Sequence, residues 1–321
     1  MLLSQLVILV VNNSLRLLLY ASDDTPQSLQ TIFDLLSLYG CANLTLQMNP
    51  TQHGAVQIAG GGFGDIWRGE LFDGTQVAVK VWRASLIEQC DHKSLKRATR
   101  EIYYWSKMKH ANVHELMGMI LFKGQSLGMV SKWMENGNLL EYLRRAPNAD
   151  RYQLSIQVAS GLSYIHGFSM IHGDVKALNV LVSTDGVAKL TDFGLSTMPE
   201  SSLEFSATTA SQAGSIRWAA PELLADESAK SKGSDVYSLG MTILETFTGN
   251  VPYAQSRRDF TIIQLVAQGV LPTRPTDKIQ DNERGSQLWS LLVSCWERKI
   301  DSRPTAQQVA ESLVSISSLG V

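Results

Sequence analysis

The stretch His-Gly-Asp-Val-Lys-Ala-Leu-Asn at residues 172–179, with Asp-Phe-Gly at residues 192–194, decides the fold of this 321-residue chain. Asp174 is a carboxylate that can accept a proton from a hydroxyl group. Asn179 and Asp192 offer an amide oxygen and a carboxylate, which are ligands suited to a hard cation such as Mg²⁺. The two motifs therefore indicate a chemical site rather than a solvated turn.

Four further motifs surround this pair in a fixed order. Residues 60–64 form a glycine run, and glycines let backbone amides approach phosphate oxygens without a Cβ in the way. Residues 77–80 read Val-Ala-Val-Lys, and a strand lysine beside a nucleotide neutralises phosphate charge when an acid such as Glu101 holds it. Residues 220–222 read Ala-Pro-Glu. The joint order of the six motifs predicts ATP-dependent phosphoryl transfer.

The motif set resembles the protein kinase family over about residues 56–314. That resemblance implies an α+β, bilobal fold with a small β-rich N lobe at residues 51–134 and a larger helical C lobe at residues 135–318. Residues 1–50 are then a partly helical N-terminal extension, separated from the domain by a polar break at residues 49–54.

The resemblance also implies catalytic roles. Asp174 corresponds to the residue that accepts the substrate hydroxyl proton, and Lys176 to the residue that stabilises the transferring charge. Lys80 and Glu101 correspond to the strand–helix ion pair.

ATP and Mg²⁺ are the expected cofactors. Mg²⁺ is expected on Asn179 and Asp192. The residues expected around ATP are Ala59, Gly60, Gly61, Gly62, Phe63, Gly64, Ile66, Ala78, Lys80, Ser131, Met134 and Leu181.

Three contacts outside the cofactor sites are implied in the same way. Glu222 and Arg303 resemble a buried ion pair, and Asp235 resembles the helix aspartate that holds the catalytic-loop backbone. Ser215 is expected to bond both Asp174 and Lys176.

The chain departs from the family pattern at two positions. Ala59 stands where the family has the first glycine of the run. Gly173 stands where the family has an arginine that binds a phosphate group on the activation loop. We therefore expect that activity does not strictly need a phosphorylated loop. The segment between Asp192 and Glu222 contains serines and threonines but no tyrosine, and these hydroxyl groups are candidate sites of autophosphorylation.

The same motifs indicate which residue type of the protein substrate receives the phosphoryl group. The Asp-Val-Lys sequence at residues 174–176 resembles serine/threonine kinases, whereas Arg217-Trp218 and Cys295-Trp296 resemble tyrosine kinases. The mixture is typical of the tyrosine-kinase-like group of serine/threonine kinases, and residues 59–69 are similar to expanded members in mushroom-forming fungi. Two alternatives stay open, a pseudokinase scaffold and an enzyme of dual or tyrosine specificity.

The resemblance implies ATP and protein substrates with Ser/Thr as partners. The formal net charge of −2 gives no sign of nucleic acid or of an anionic membrane as partner. The apolar run at residues 1–11 is too short to span a bilayer, and no basic stretch precedes it. A cytoplasmic protein is expected, with a signal or anchor as the alternative. Three distant cysteines predict reduced thiols.

Overall fold

The computed structural model describes residues 29–49, 56–61, 64–81, 102–123, 126–193, 214–225 and 229–319. The apolar N-terminal run, Glu101, Gly62 and Phe63 lie outside these residues. The chain divides into two compact units: Met1–Lys109 with Glu115–Trp133, and His110–His114 with Met134–Val321.

The first unit contains a five-stranded antiparallel sheet in the order β1-β2-β3-β5-β4. Its strands are β1 (Val56–Gly61), β2 (Gly64–Glu70), β3 (Gln76–Val81), β4 (Leu116–Phe122) and β5 (Ser126–Lys132). A turn joins β2 to β3, in which Asp73 accepts a hydrogen bond from the Thr75 amide and Gly74 has a φ of 84°. That backbone conformation favours glycine.

A segment before the sheet completes its core. It begins with helix α1 (Leu29–Leu38) and then runs beside β4, where the Leu44 amide donates to the Met119 oxygen and the Met119 amide donates to the Ala42 oxygen. Leu44 and Met48 are buried in one cluster with apolar residues of β3, β4 and β5. The described part of the N-terminal extension therefore packs as part of this unit.

The second unit is mainly helical. Its helices are α2 (Leu139–Arg145), α3 (Arg151–Gly167), α4 (Pro221–Leu224), α5 (Lys232–Thr248), α6 (Asp259–Ala267), α7 (Glu283–Cys295) and α8 (Ala306–Ser318). A two-stranded sheet pairs β6 (Val180–Val182) with β7 (Ala188–Leu190). Helix α5 is largely buried and contacts α3 and α7, while α8 packs on α3.

Helix α5 is fixed at both ends. Its N-cap residue Ser231 exchanges hydrogen bonds with Ser234 in a capping box. Gly249 ends the helix with a φ of 70°, the left-handed conformation that glycine adopts without strain. The caps set the position of Asp235 in the first turn and of Glu245 in the last.

Two of the three cysteines lie in the described part of the chain. Cys41 and Cys295 are free thiols, as expected, and both are buried. Burial raises the pKa of the Cys41 thiol to about 11 and that of the Cys295 thiol to about 12. No described helix combines the length and apolar character needed to cross a bilayer.

The expected ion pair between Glu222 and Arg303 is present and buried. Two guanidinium nitrogens donate to the two carboxylate oxygens at 2.6 and 2.8 Å. Arg303 also donates to the main-chain oxygens of Glu297 and Gly233. The pair thus connects the first turn of α4 with the segment after α7 and with the first turn of α5.

We predict that Arg303→Met lowers the free energy of unfolding by about 3–5 kcal/mol, because it leaves the Glu222 carboxylate buried and unpaired. Urea denaturation measures the loss, with Lys299→Met at an exposed neighbour as the matched control. The double variant Glu222→Leu with Arg303→Met should lose less than the sum of the single variants. Additive losses would contradict a coupled pair.

Candidate active site

Asp174, Lys176 and Ser215 form a closed triangle of polar contacts. The Lys176 Nζ atom lies 2.9 Å from Asp174 Oδ2 and donates to Ser215 Oγ at 2.7 Å. Ser215 Oγ in turn donates to Asp174 Oδ1 at 2.8 Å. The contacts expected for Ser215 are confirmed, and they hold both carboxylate oxygens of Asp174 in a defined orientation.

Asn179 adds a fourth side chain to this group. It lies in a short 3₁₀ helix (Ala177–Asn179) and is 7% exposed. Its Nδ2 atom donates to the main-chain oxygen and to Oδ2 of Asp174, both at 2.8 Å. Because the amide nitrogen faces Asp174, the amide oxygen is the atom of Asn179 that suits a hard cation.

Asp192 is the second oxygen donor that the sequence predicts for Mg²⁺. Its φ of 66° lies in the left-handed region, which is uncommon for a residue with a side chain. The next residue, Phe193, is 2% exposed, and its ring lies 5.4 Å from the His172 ring. Strained backbone of this kind concentrates at functional sites because the surrounding packing holds it in place.

Asp235 organises the backbone before Asp174. Its carboxylate accepts from the amides of His172 and Gly173, each at 2.8 Å, and contacts His166 Nε2 at 2.9 Å. Asp235 is 1% exposed, so these partners replace the water that the carboxylate would otherwise need. The role expected for Asp235 as a holder of this loop agrees with the geometry.

His172 extends the same network as a neutral ring. Its Nδ1 atom accepts from the Asp174 amide at 3.3 Å, which assigns the proton to Nε2, and Nε2 then donates to the Thr191 oxygen at 3.1 Å. Burial lowers the pKa of His172 below its ordinary value of 6.5. The neutral tautomer therefore fits both hydrogen bonds.

Glu245 is a buried residue that contacts the loop of Asp174, and the sequence motifs did not reveal it. Its Oε2 atom accepts from the Ala177 amide at 3.0 Å and from Trp218 Nε1 at 2.9 Å. Burial raises the pKa of Glu245 from 4.5 to about 7. The available signal was a single acid in residues 239–247, which otherwise carry no charged side chain.

Arg217 is a second residue with contacts near the site that was not among the predicted site residues. Its guanidinium donates to the main-chain oxygens of Pro252, Tyr253 and Ser256 at 2.8 to 3.0 Å. Tyr253 has a φ of 54°, so the arginine contacts a turn with a strained backbone. The loop that carries Ser215 is thereby attached to the turn before α6.

The first unit places four predicted nucleotide residues on one face of its sheet. Ile66 lies opposite Lys80, and Ala78 lies opposite Ser131. Residues directly opposite in an antiparallel pair share a face. Alternate positions of β3 are buried on the other face, so the side chains of Ala78 and Lys80 stand on the face away from the Leu44 cluster.

The remaining predicted positions are distributed as follows. The backbone of Ala59, Gly60, Gly61 and Gly64 belongs to the β1–β2 hairpin, in which Gly61 lies opposite Gly64. Met134 and Leu181 belong to the second unit, where Leu181 lies on β6 opposite Lys189. Gly62, Phe63 and Glu101 lie outside the described residues.

We predict that wild-type stability relative to Glu245→Gln falls as pH rises. The folded-state pKa is raised, so the stabilisation by the neutral carboxyl is present below about pH 4.5 and is lost through about pH 7. The change should be on the order of 3 kcal/mol. Urea denaturation of both proteins at pH 4.5 and pH 8 measures it, and a constant difference would contradict the assignment.

Comparisons with known proteins agree with this geometry. The sequence profile described as "Protein tyrosine and serine/threonine kinase" matches residues 54–313. The chain is similar to serine/threonine-protein kinase STY46 of Arabidopsis thaliana, with 29% identity over 81% of the chain and 43% of the relative. It is 32% identical to the megakaryocyte-associated tyrosine-protein kinase of Mus musculus, over 80% of the chain and 48% of the relative.

A third relative is the probable serine/threonine-protein kinase SIS8 of Arabidopsis thaliana, 30% identical over 80% of the chain and 24% of the relative. The chain thus spans less than half the length of these curated relatives. The names include both acceptor classes, as expected for a tyrosine-kinase-like sequence. With the profile covering most of its length, the chain belongs to the protein tyrosine and serine/threonine kinase family.

Proposed function

We propose that this chain transfers the γ-phosphoryl group of ATP to serine and threonine hydroxyls of protein substrates. The observation that carries the proposal is the triangle of Asp174, Lys176 and Ser215. A lysine two residues after the base, bonded to a serine of the following loop, is the arrangement that the resemblance associates with serine/threonine acceptors. We assign the catalytic domain to residues 51–318 and treat residues 1–50 as its extension.

In the proposed reaction, Asp174 orients the incoming hydroxyl and accepts its proton as phosphoryl transfer proceeds. The contacts from Ser215, Lys176 and Asn179 restrain the carboxylate before substrate binds. Lys176 carries the positive charge that offsets charge on the transferring group. Catalysis by this site is therefore mainly positioning and charge stabilisation.

Asn179 and Asp192 are the residues that would hold Mg²⁺. The donor set fits, because the Asn179 nitrogen donates to Asp174, which turns the amide oxygen to other use, and Asp192 adds a carboxylate. Mg²⁺ usually binds through one or two protein oxygens together with substrate phosphates. When bound, the ion would neutralise charge on those phosphates.

The first unit would supply most of the contacts to ATP. Ile66 and Ala78 offer the apolar surface for adenine, and Lys80 offers an ammonium for the phosphates. The β1–β2 hairpin brings glycine amides, which approach phosphate oxygens closely. A need for ATP also favours the cytoplasm as the location of the protein.

Two alternatives rest on particular residues. A pseudokinase is favoured by Ala59 and Gly173, which depart from the family pattern. Tyrosine or dual specificity is favoured by the Arg217-Trp218 pair and by the similarity to a mouse tyrosine-protein kinase. The bonded triangle around Asp174 supports the serine/threonine reading over both.

We predict that Lys80→Met and Asp192→Asn each remove nearly all phosphate transfer while the proteins stay folded, because each loses a charge that faces phosphate or metal. Transfer from labelled ATP with Mg²⁺ to casein measures this, and circular dichroism checks the fold. The exposed Lys232→Met is the matched charge-removal control. Retained activity in either site variant would reject the assignment.

The same labelled product tests acceptor specificity. We expect phosphoserine and phosphothreonine after acid hydrolysis, without phosphotyrosine. Phosphotyrosine would instead establish the dual or tyrosine alternative. A folded wild type with no transfer, yet with ATP-dependent thermal stabilisation, would favour the pseudokinase.

A further inference from the structure

Gly173 is the residue before the proposed base, and its backbone is held at both polar groups. The amide donates to Asp235 Oδ1 at 2.8 Å, and the carbonyl oxygen accepts from Lys230 Nζ at 2.9 Å. Its φ is 77°, a conformation that residues other than glycine adopt with strain. The position therefore has no side chain of its own to anchor it, and depends on contacts from elsewhere in the chain.

The peptide unit between Gly173 and Asp174 is fixed from opposite sides. Lys230 holds its oxygen, and His172 Nδ1 accepts from its N–H at 3.3 Å. The orientation of this unit sets the direction in which the Asp174 side chain leaves the backbone. A change at Lys230 should therefore be transmitted to the Asp174 carboxylate without any direct contact with substrate.

Lys230 is well placed for this task. It is partly buried and precedes helix α5, whose N-cap is Ser231. The capping box at Ser231 and Ser234 fixes the backbone next to the lysine. A hydrogen bond from an ammonium group is stronger than one between neutral groups.

We propose that Lys230 is a positioning residue for catalysis, which holds the Gly173–Asp174 peptide unit so that Asp174 faces the acceptor hydroxyl. The inference rests on the proposed function. In this proposal the Lys230 ammonium group binds the catalytic loop at Gly173, the residue directly before the base Asp174.

The test uses the full chain with Lys230→Met, Lys230→Arg and the control Lys232→Met, whose exposed lysine lies two residues away. Initial rates with ATP, Mg²⁺ and casein give kcat and KM. We expect Lys230→Met to lower kcat about tenfold with KM for ATP within about twofold. Lys230→Arg keeps a cationic donor and should restore most of the rate, and Lys232→Met should match wild type.

Hydrogen exchange of the peptide spanning residues 170–176 supplies a readout that needs no activity. We expect faster exchange in Lys230→Met and wild-type exchange in Lys232→Met, at temperatures well below the melting transition of each protein. Normal kcat in Lys230→Met would overturn the inference, even if its melting temperature fell. So would a rate loss that Lys230→Arg fails to rescue.

The two levels of the argument fail in different ways. An inactive, folded wild type would reject the proposed function and, with it, a catalytic role for Lys230. An active wild type with an unaffected Lys230→Met variant would reject only the positioning role.

Discussion

The buried carboxylate of Asp235 is the constraint on which the proposed site depends. A carboxylate removed from water needs hydrogen-bond donors or a counter-charge. Here the donors are consecutive backbone amides of His172 and Gly173, with His166 as a third partner. Only a loop conformation that brings both amides to one carboxylate satisfies it, and Asp174 follows directly in that loop.

Helix α5 extends this control along the loop. Thr242 donates to the Val175 oxygen at 3.2 Å, and Glu245 accepts from the Ala177 amide. Residues 235, 242 and 245 are seven and three positions apart, which places them on one face of a helix. An irregular segment whose backbone groups cannot pair in a ladder is thus satisfied by side chains from one regular element. The conformation of this loop therefore depends on the caps that fix the two ends of α5.

A contact of the proposed site could be predicted from the sequence where a local motif or the family resemblance covers it. Asp174, Lys176 and Asn179 lie within six positions, so a local motif predicted the group that the structure brings together. The apolar pattern of residues 152–168 predicts a helix, and the observed helix is Arg151–Gly167. The branched residues at 77–81 predict a strand, and the observed strand is Gln76–Val81.

The long-range contacts of Ser215, Asp235 and Arg303 were implied by the family resemblance, whereas those of Glu245 and Lys230 were not predicted. Glu245 and Lys230 meet the catalytic loop across 68 and 57 residues, and no local spacing marks either residue as a partner. Helix α2 and the β6–β7 hairpin were not predicted because each is short, and short elements leave little periodicity to detect. Helix α8 was also not predicted, although Thr305 and Gln308 form a capping box that the sequence displays.

The strand that carries Lys80 shows how packing away from a site can determine it. Val77, Val79 and Val81 are buried, and residues Leu44 and Met48 from before the sheet share their cluster. A slip of one residue in the register of β3 would move Lys80 into that cluster and expose the valines. The energetic cost of burying an ammonium group makes such a slip unfavourable. The segment around Leu44 therefore helps to specify the face on which Lys80 stands, although it contributes no residue to that face.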